Sequence, residues 1–132
     1  MAEIVVLDAS ALIALFSDTD PHHEWALQMF VDTIGWDLQM TALNMAEAMV
    51  HPARSERLDQ FTKAISGLGI EVTSVASFDA PRLAQIRADT NLRMPDALVL
   101  NQAMKVGGAI ATSDNELASV AASQSVGVFR PS

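Results

Sequence analysis

The sequence has no cysteine and no tyrosine, and only 5% of its residues are aromatic. Without cysteine there are no disulfides, no thiolate zinc sites and no thiol nucleophile, a composition that fits a reducing cytosol. Basic residues are scarce too: 8 Lys and Arg stand against 16 Asp and Glu, for a net charge of −8. Taken alone, that balance speaks against a nucleic-acid partner, because phosphate binding normally needs a basic face. A metal-dependent nuclease is an exception in principle, since its cations neutralise both site and substrate. Long hydrophobic runs are also missing. The apolar stretch 4–16 carries Asp8 in its middle, has no basic leader and falls short of the ~18 residues a membrane span needs. We therefore expect no membrane association, no export, and a cytoplasmic location.

Half of the 132 residues are apolar, enough for the core of one domain, expected to span 1–132. Ile4–Leu7 is a short β-rich run without polar alternation, as a strand buried on both faces should be. Ala9–Phe16 continues as a helix. Asp20, Pro21 and Glu24 read as N-cap, first turn and acidic start of a second helix that Gly35 ends. Asp37–Thr41 is a second strand. A helix over 44–50 is expected to stop before Pro52, which pushes His51 away from helical dihedrals. Helices follow over 55–66, 78–91, 95–106 and 114–122, and strands over 70–75, 109–112 and 126–129. Strands separated by helices predict an α/β fold with a parallel sheet covered on both faces.

Ligands of open parallel sheets bind outside the carboxyl ends of the strands. Asp8 closes the first strand, and Asp114 follows the strand at 109–112. Each acid also has a structural explanation. Asp114 can start a helix, and Ser113 with Glu116 can form a capping box there. Asp96 sits at a helix start, where the dipole favours an acid. Glu47 can close a capping box with Asn44, although its helix is otherwise apolar and a buried carboxylate there would need a partner. Taken together, four carboxylates on separate elements suit hard divalent cations such as Mg²⁺, which prefer oxygen ligands and keep several waters. A pair of such ions can activate water and stabilise the leaving oxygen of a phosphodiester.

Other chemistries find little support. His22 and His23 are adjacent, so they diverge by about 100° on a helix, and His51 is isolated. There is no nucleophile elbow, P-loop or dinucleotide fingerprint. A dehalogenase-like phosphatase wants a second Asp two residues after the first, and that position is Ser10.

The segment Val6-Leu7-Asp8-Ala9-Ser10-Ala11-Leu12-Ile13-Ala14-Leu15 resembles the opening of PIN domains, especially the VapC toxins of bacterial toxin–antitoxin pairs. Thr41-Ala42-Leu43-Asn44-Met45-Ala46-Glu47 resembles their second acidic block. Leu92-Arg93-Met94-Pro95-Asp96-Ala97-Leu98 and Gly108-Ala109-Ile110-Ala111-Thr112-Ser113-Asp114 resemble the third and fourth. The resemblance spans nearly the whole chain, with the blocks in order. It implies a three-layer α/β/α sandwich around a parallel sheet of about five strands. It also implies that Asp8, Glu47, Asp96 and Asp114 hold Mg²⁺ or Mn²⁺ for endoribonuclease chemistry. Ser10 would orient the first acid, with Thr112 or Ser113 assisting near the fourth. The implied partners are RNA, a cognate VapB-like antitoxin and a second copy in a homodimer. Arg54, Arg57 and Arg93 are the candidate RNA-phosphate contacts. Two rival readings are a PIN nuclease of RNA maturation or decay and a non-catalytic PIN-like binding module. Asn101 and Gln102 depart from the family pattern, standing where many relatives carry small apolar residues; Leu117 replaces a frequent aromatic.

Overall fold

Residues 3–132 are described by a computed structural model. Ile4-Val5-Val6-Leu7 forms β1 (Ile4–Leu7), with Val5, Val6 and Leu7 wholly buried, as expected of a central strand. The other strands are β2 (Asp37–Thr41), β3 (Glu71–Thr73), β4 (Ala109–Ala111) and β5 (Val128–Phe129). They form one sheet of order β3-β2-β1-β4-β5, every pair parallel. The chain thus builds outward from β1 to one edge, returns, and builds outward to the other. The strand order reverses at β1, the position where parallel α/β sheets bind ligands.

Alternation along the strands divides the apolar side chains between two layers. Val5, Leu7, Met40 and Ala111 pack with Leu12 of α1 (Ala9–Phe16), Met29 of α2 (His23–Asp32), Met45 of α3 (Ala42–Arg54) and Ile65 of α4 (Leu58–Ser66). Val6 and Ile110 point the other way, against Val99, Leu100 and Ala103 of α6 (Met94–Val106) and Leu117 and Ala121 of α7 (Asn115–Ser123). Leu83 of α5 (Asp79–Asp89) extends this second layer through Ala97 and Leu98. The result is the expected α/β/α sandwich. Gly107 ends α6 in the left-handed region (φ 67°), and Gly108 passes so close to β1 that a Cβ there would meet the Ile4 carbonyl oxygen at 2.9 Å.

The structure corrects several sequence-based boundaries. α3 does not stop before Pro52; it continues to Arg54, with Pro52 buried. The missing N–H and ring crowding cost a helix interior about 3 kcal/mol, yet the helix continues through the buried ring. The cap of α3 is Thr41, whose hydroxyl accepts from the Asn44 amide at 3.2 Å, so no Asn44–Glu47 capping box forms. Asp20 accepts from the His22 amide at 2.8 Å in the turn before α2, which has no side-chain cap. α4 begins at Leu58 rather than Ser55, after a turn in which Glu56 takes φ 57°. α7 is capped by Asp114 rather than Ser113.

Asn101 and Gln102, the departures noted on α6, are buried polar groups with partners. Asn101 donates to Asp79 Oδ1 at 3.1 Å, and Gln102 donates to Gln39 Oε1 at 2.9 Å. Gln39 shares the sheet face of Val6, the side that α6 covers, so a glutamine pair bridges sheet and helix there.

Candidate functional site

Two adjacent strands, β1 and β4, end side by side at the reversal point. The Asp8 amide donates to the Ala111 carbonyl at 3.2 Å, and the chain then turns into α1. As N-cap of that helix, Asp8 accepts from the Ala11 amide at 3.0 Å. Ser10 Oγ donates to the same carboxylate oxygen at 2.6 Å, and Thr112 Oγ1 donates to the other. These hydroxyls also brace the neighbouring strand end. The Ser113 amide donates to Ser10 Oγ at 3.0 Å, and the Asp114 amide donates to Thr112 Oγ1 at 2.9 Å. Asp114 in turn caps α7, accepting from the Leu117 amide at 2.8 Å. Asp8 and Asp114 are thus both helix N-caps, and that role holds each carboxylate beside the end of its strand.

Asp96 arrives from α6. Asn44 Nδ2 donates to the Pro95 carbonyl at 3.0 Å, tying the start of α3 to the start of α6. The Asn44 side chain also accepts from Thr41 Oγ1. Asp96 lies one residue beyond this tie and is 14% exposed at its side chain. Asn44 was legible in the sequence only as a helix cap; its reach across 51 residues of chain carried no local signal.

The electrostatics show that these three acids share a neighbourhood. Burial pushes the Asp8 carboxyl above the ordinary carboxylate value; its hydrogen bonds to Ser10, Thr112 and Ala11 oppose the shift, and the charge of Asp114 adds to it. Asp96 is likewise raised, first by burial, then by the like charges of Asp114 and Asp8, against the pull of Arg93. Such crowding disfavours the ionised state unless a cation compensates it. Among the described residues, no group of three His, Asp or Glu side chains stands close enough to hold one ion together. The donor set still fits a hydrated hard cation: all ligands are oxygen, and Mg²⁺ needs only one or two carboxylates because it keeps its waters.

The remaining candidates are placed differently. Glu47 lies in the second turn of α3 and is solvent-exposed, so it needs no buried partner. It lines a groove of about 550 Å³ between α1, α3 and α4, together with Ile13, Phe16, His51, Arg57 and Phe61. Arg54 is two turns beyond Glu47, about 10 Å along the helix. Arg93 pairs loosely with Asp96, at 3.7 Å. His23 is taken up structurally, its Nδ1 lying 2.7 Å from the Ala14 carbonyl oxygen. Arg130, absent from the sequence-based candidates, stands at the same end of the sheet, with its guanidinium donating to Asn115 Oδ1 at 2.8 Å.

The doubly wound parallel sheet, with acids beside its reversal point, places the chain among the open α/β folds. More narrowly, residues 5–123 match the PIN domain model, and the chain belongs to that family. Solved structures share the fold at low identity. A toxin–antitoxin complex from Klebsiella pneumoniae superposes with TM-score 0.73 at 21% identity, covering 88% of this chain and 92% of that one. VapC20 of Mycobacterium tuberculosis, described as a sarcin-ricin loop cleaving toxin, gives 0.72 at 13% identity over 88% and 94%. FitAcB from Neisseria gonorrhoeae gives 0.73 at 18% identity over 95% and 96%. Comparison with curated proteins finds no match.

Proposed function

We propose that this chain is a divalent-metal-dependent endoribonuclease and the toxin of a toxin–antitoxin pair. What supports this reading is that Asp8 and Asp114 follow the carboxyl ends of the paired strands β1 and β4, with Asp96 near enough that its carboxyl is raised by both their charges. PIN domains are generally nucleases, and one structural neighbour is described as cleaving the sarcin-ricin loop. Asp8, Asp96 and Asp114 would hold Mg²⁺ or Mn²⁺ partly through the ion's own waters, with Glu47 a further candidate ligand, and the ion would supply Lewis acidity at phosphorus and a nucleophilic water.

The chain's own residues have definable tasks. Ser10, Thr112 and the Ala11 amide fix both oxygens of Asp8, so that the most buried of these three acids keeps one orientation. Thr112 couples that orientation to the start of the Asp114 loop. Asp96 and Asp114, less buried than Asp8, are open to water and to a phosphodiester. Arg93 moderates the charge at Asp96. Neither a histidine nor attack by the RNA 2′-hydroxyl is required, so the products carry 5′-phosphates.

A cognate antitoxin belongs to the same reading, because the Klebsiella neighbour is a toxin–antitoxin complex. The groove beside Glu47 supports it: Ile13 and Phe16 are exposed apolar residues there, bordered by Arg57. A homodimer is expected with it. Expression of wild type beside Asp96→Asn, with sequencing of newly formed 5′-phosphate RNA ends, tests the proposal. New ends and growth arrest in wild type alone support it; identical end profiles count against it.

A further inference from the structure

Arg130 follows β5 directly. Ala111 pairs with Phe129 in the β4–β5 ladder, and the Thr112 amide donates to the Phe129 carbonyl at 3.1 Å. By register, Arg130 therefore stands level with Thr112, one strand away, about 4.8 Å across the sheet. Thr112 is one of the residues that hold Asp8. The guanidinium is anchored on Asn115, which immediately follows Asp114. Two independent tethers thus place this arginine at the edge of the acid cluster.

Its partner is what gives the placement a meaning. Among the described residues, the ion pairs are Arg93 with Asp96 and Lys105 with Asp79. Arg130 is held instead by the oxygen of a neutral amide, although acids outnumber bases two to one in this chain. Its charge is oriented without being compensated, and it is exposed to solvent. A guanidinium offers five N–H donors in a planar fork that matches a phosphate in bidentate fashion. One donor is used on Asn115, and the rest face no acceptor within the described residues. An RNA strand approaching crowded carboxylates needs a cation on the rim, and Arg93 is already partly spent on Asp96.

We propose that Arg130, oriented by Asn115, is a phosphate-binding subsite for the RNA strand on the β5 side of the acid cluster. This rests on the ribonuclease reading above, and it adds a substrate contact that the sequence did not reveal.

The test is RNA affinity over a salt titration in the Asp96→Asn background, where a labelled single-stranded RNA should remain uncut. Losing one phosphate contact lowers the slope of log affinity against log salt by about 0.7 for a single strand. Arg130→Gln keeps an amide donor for Asn115 but removes the charge; Arg130→Lys keeps the charge. The expected result is a slope reduced by about 0.7 and a several-fold weaker affinity in Arg130→Gln. Arg130→Lys should keep the slope, and Arg82→Ala, on distant α5, should match the parent. If Arg130→Gln binds with the parent's affinity and slope, the subsite is refuted while RNA binding stands. If the parent itself shows no salt-dependent RNA binding, the ribonuclease reading falls and the subsite with it.

Discussion

Thr112 is the residue on which the acid cluster depends most visibly. It is wholly buried, donates to Asp8 and accepts from the Asp114 amide. Thr112→Val preserves its shape but leaves a buried acceptor on Asp8 without its partner, at about 1–3 kcal/mol, and frees the part-buried Asp114 amide. The expected outcome is a measurable loss of stability in chemical denaturation and a larger loss of cleavage rate than of RNA affinity. Asp96 behaves in the opposite sense. Its carboxyl is raised above the usual 3.8, so what it contributes to stability is fully present below that value. That contribution is lost as pH rises through the folded-state value. In chelator at neutral pH, Asp96→Asn should therefore melt higher than wild type, although it should not cleave RNA; a lower melting temperature would contradict the proposed crowding. From the sequence, Asp8, Asp96 and Asp114 were legible as candidates because blocks around them resemble a family pattern. Asn44 and Arg130 were not, since each acts on a residue brought near only by the fold. Glu47 was legible as a motif residue, but its exposure was not, because an apolar neighbourhood in sequence does not reveal which helix face is covered.

At the level of elements, α5 and α6 are joined by a polar clasp. Asp79, buried at the start of α5, accepts from the Ala76 amide at 2.8 Å, from Asn101 at 3.1 Å and from Lys105 Nζ at 3.1 Å. The bond from the Ala76 amide, then the one from Asn101, hold its carboxyl below the ordinary value. A carboxyl with a depressed folded-state value stabilises the protein above the unfolded value near 3.8 and loses that contribution as pH falls through the folded one. Since α6 carries Asp96, protonating this clasp should loosen α5 against α6 before the sheet opens. Hydrogen exchange at acidic pH should show protection lost first in α5, and Asp79→Asn should weaken that pH dependence. The succession of elements was readable from hydrophobic runs and Gly/Pro punctuation. The failures lie at ends. Pro52 read as a stop because its local cost was visible and its burial was not. Ser113 read as a cap because the capping pattern tolerates a shift of one residue, which only the geometry of Asp114 resolves.

Across the whole molecule, acids outnumber bases two to one, and three of those acids crowd at the strand reversal. A site of like charges at a strand reversal is destabilising without a cation, so binding Mn²⁺ should stabilise the fold by mass action. The melting temperature should rise with Mn²⁺ concentration in wild type, and this rise should be lost in Asp8→Asn. The sheet order was open in the sequence, because strands separated by helices fix parallel crossovers but not which strand lies at the centre. That order puts Asp8 and Asp114 just beyond the carboxyl ends of neighbouring strands. The most direct measurement is end-group analysis of a single-stranded RNA incubated with the purified protein, with Mn²⁺ and with chelator. Cleavage in Mn²⁺ alone, leaving 5′-phosphate and 3′-hydroxyl ends and absent in Asp8→Asn, is the predicted result. Cleavage that persists in chelator, or that leaves 2′,3′-cyclic phosphates, would contradict a site built from carboxylates and metal.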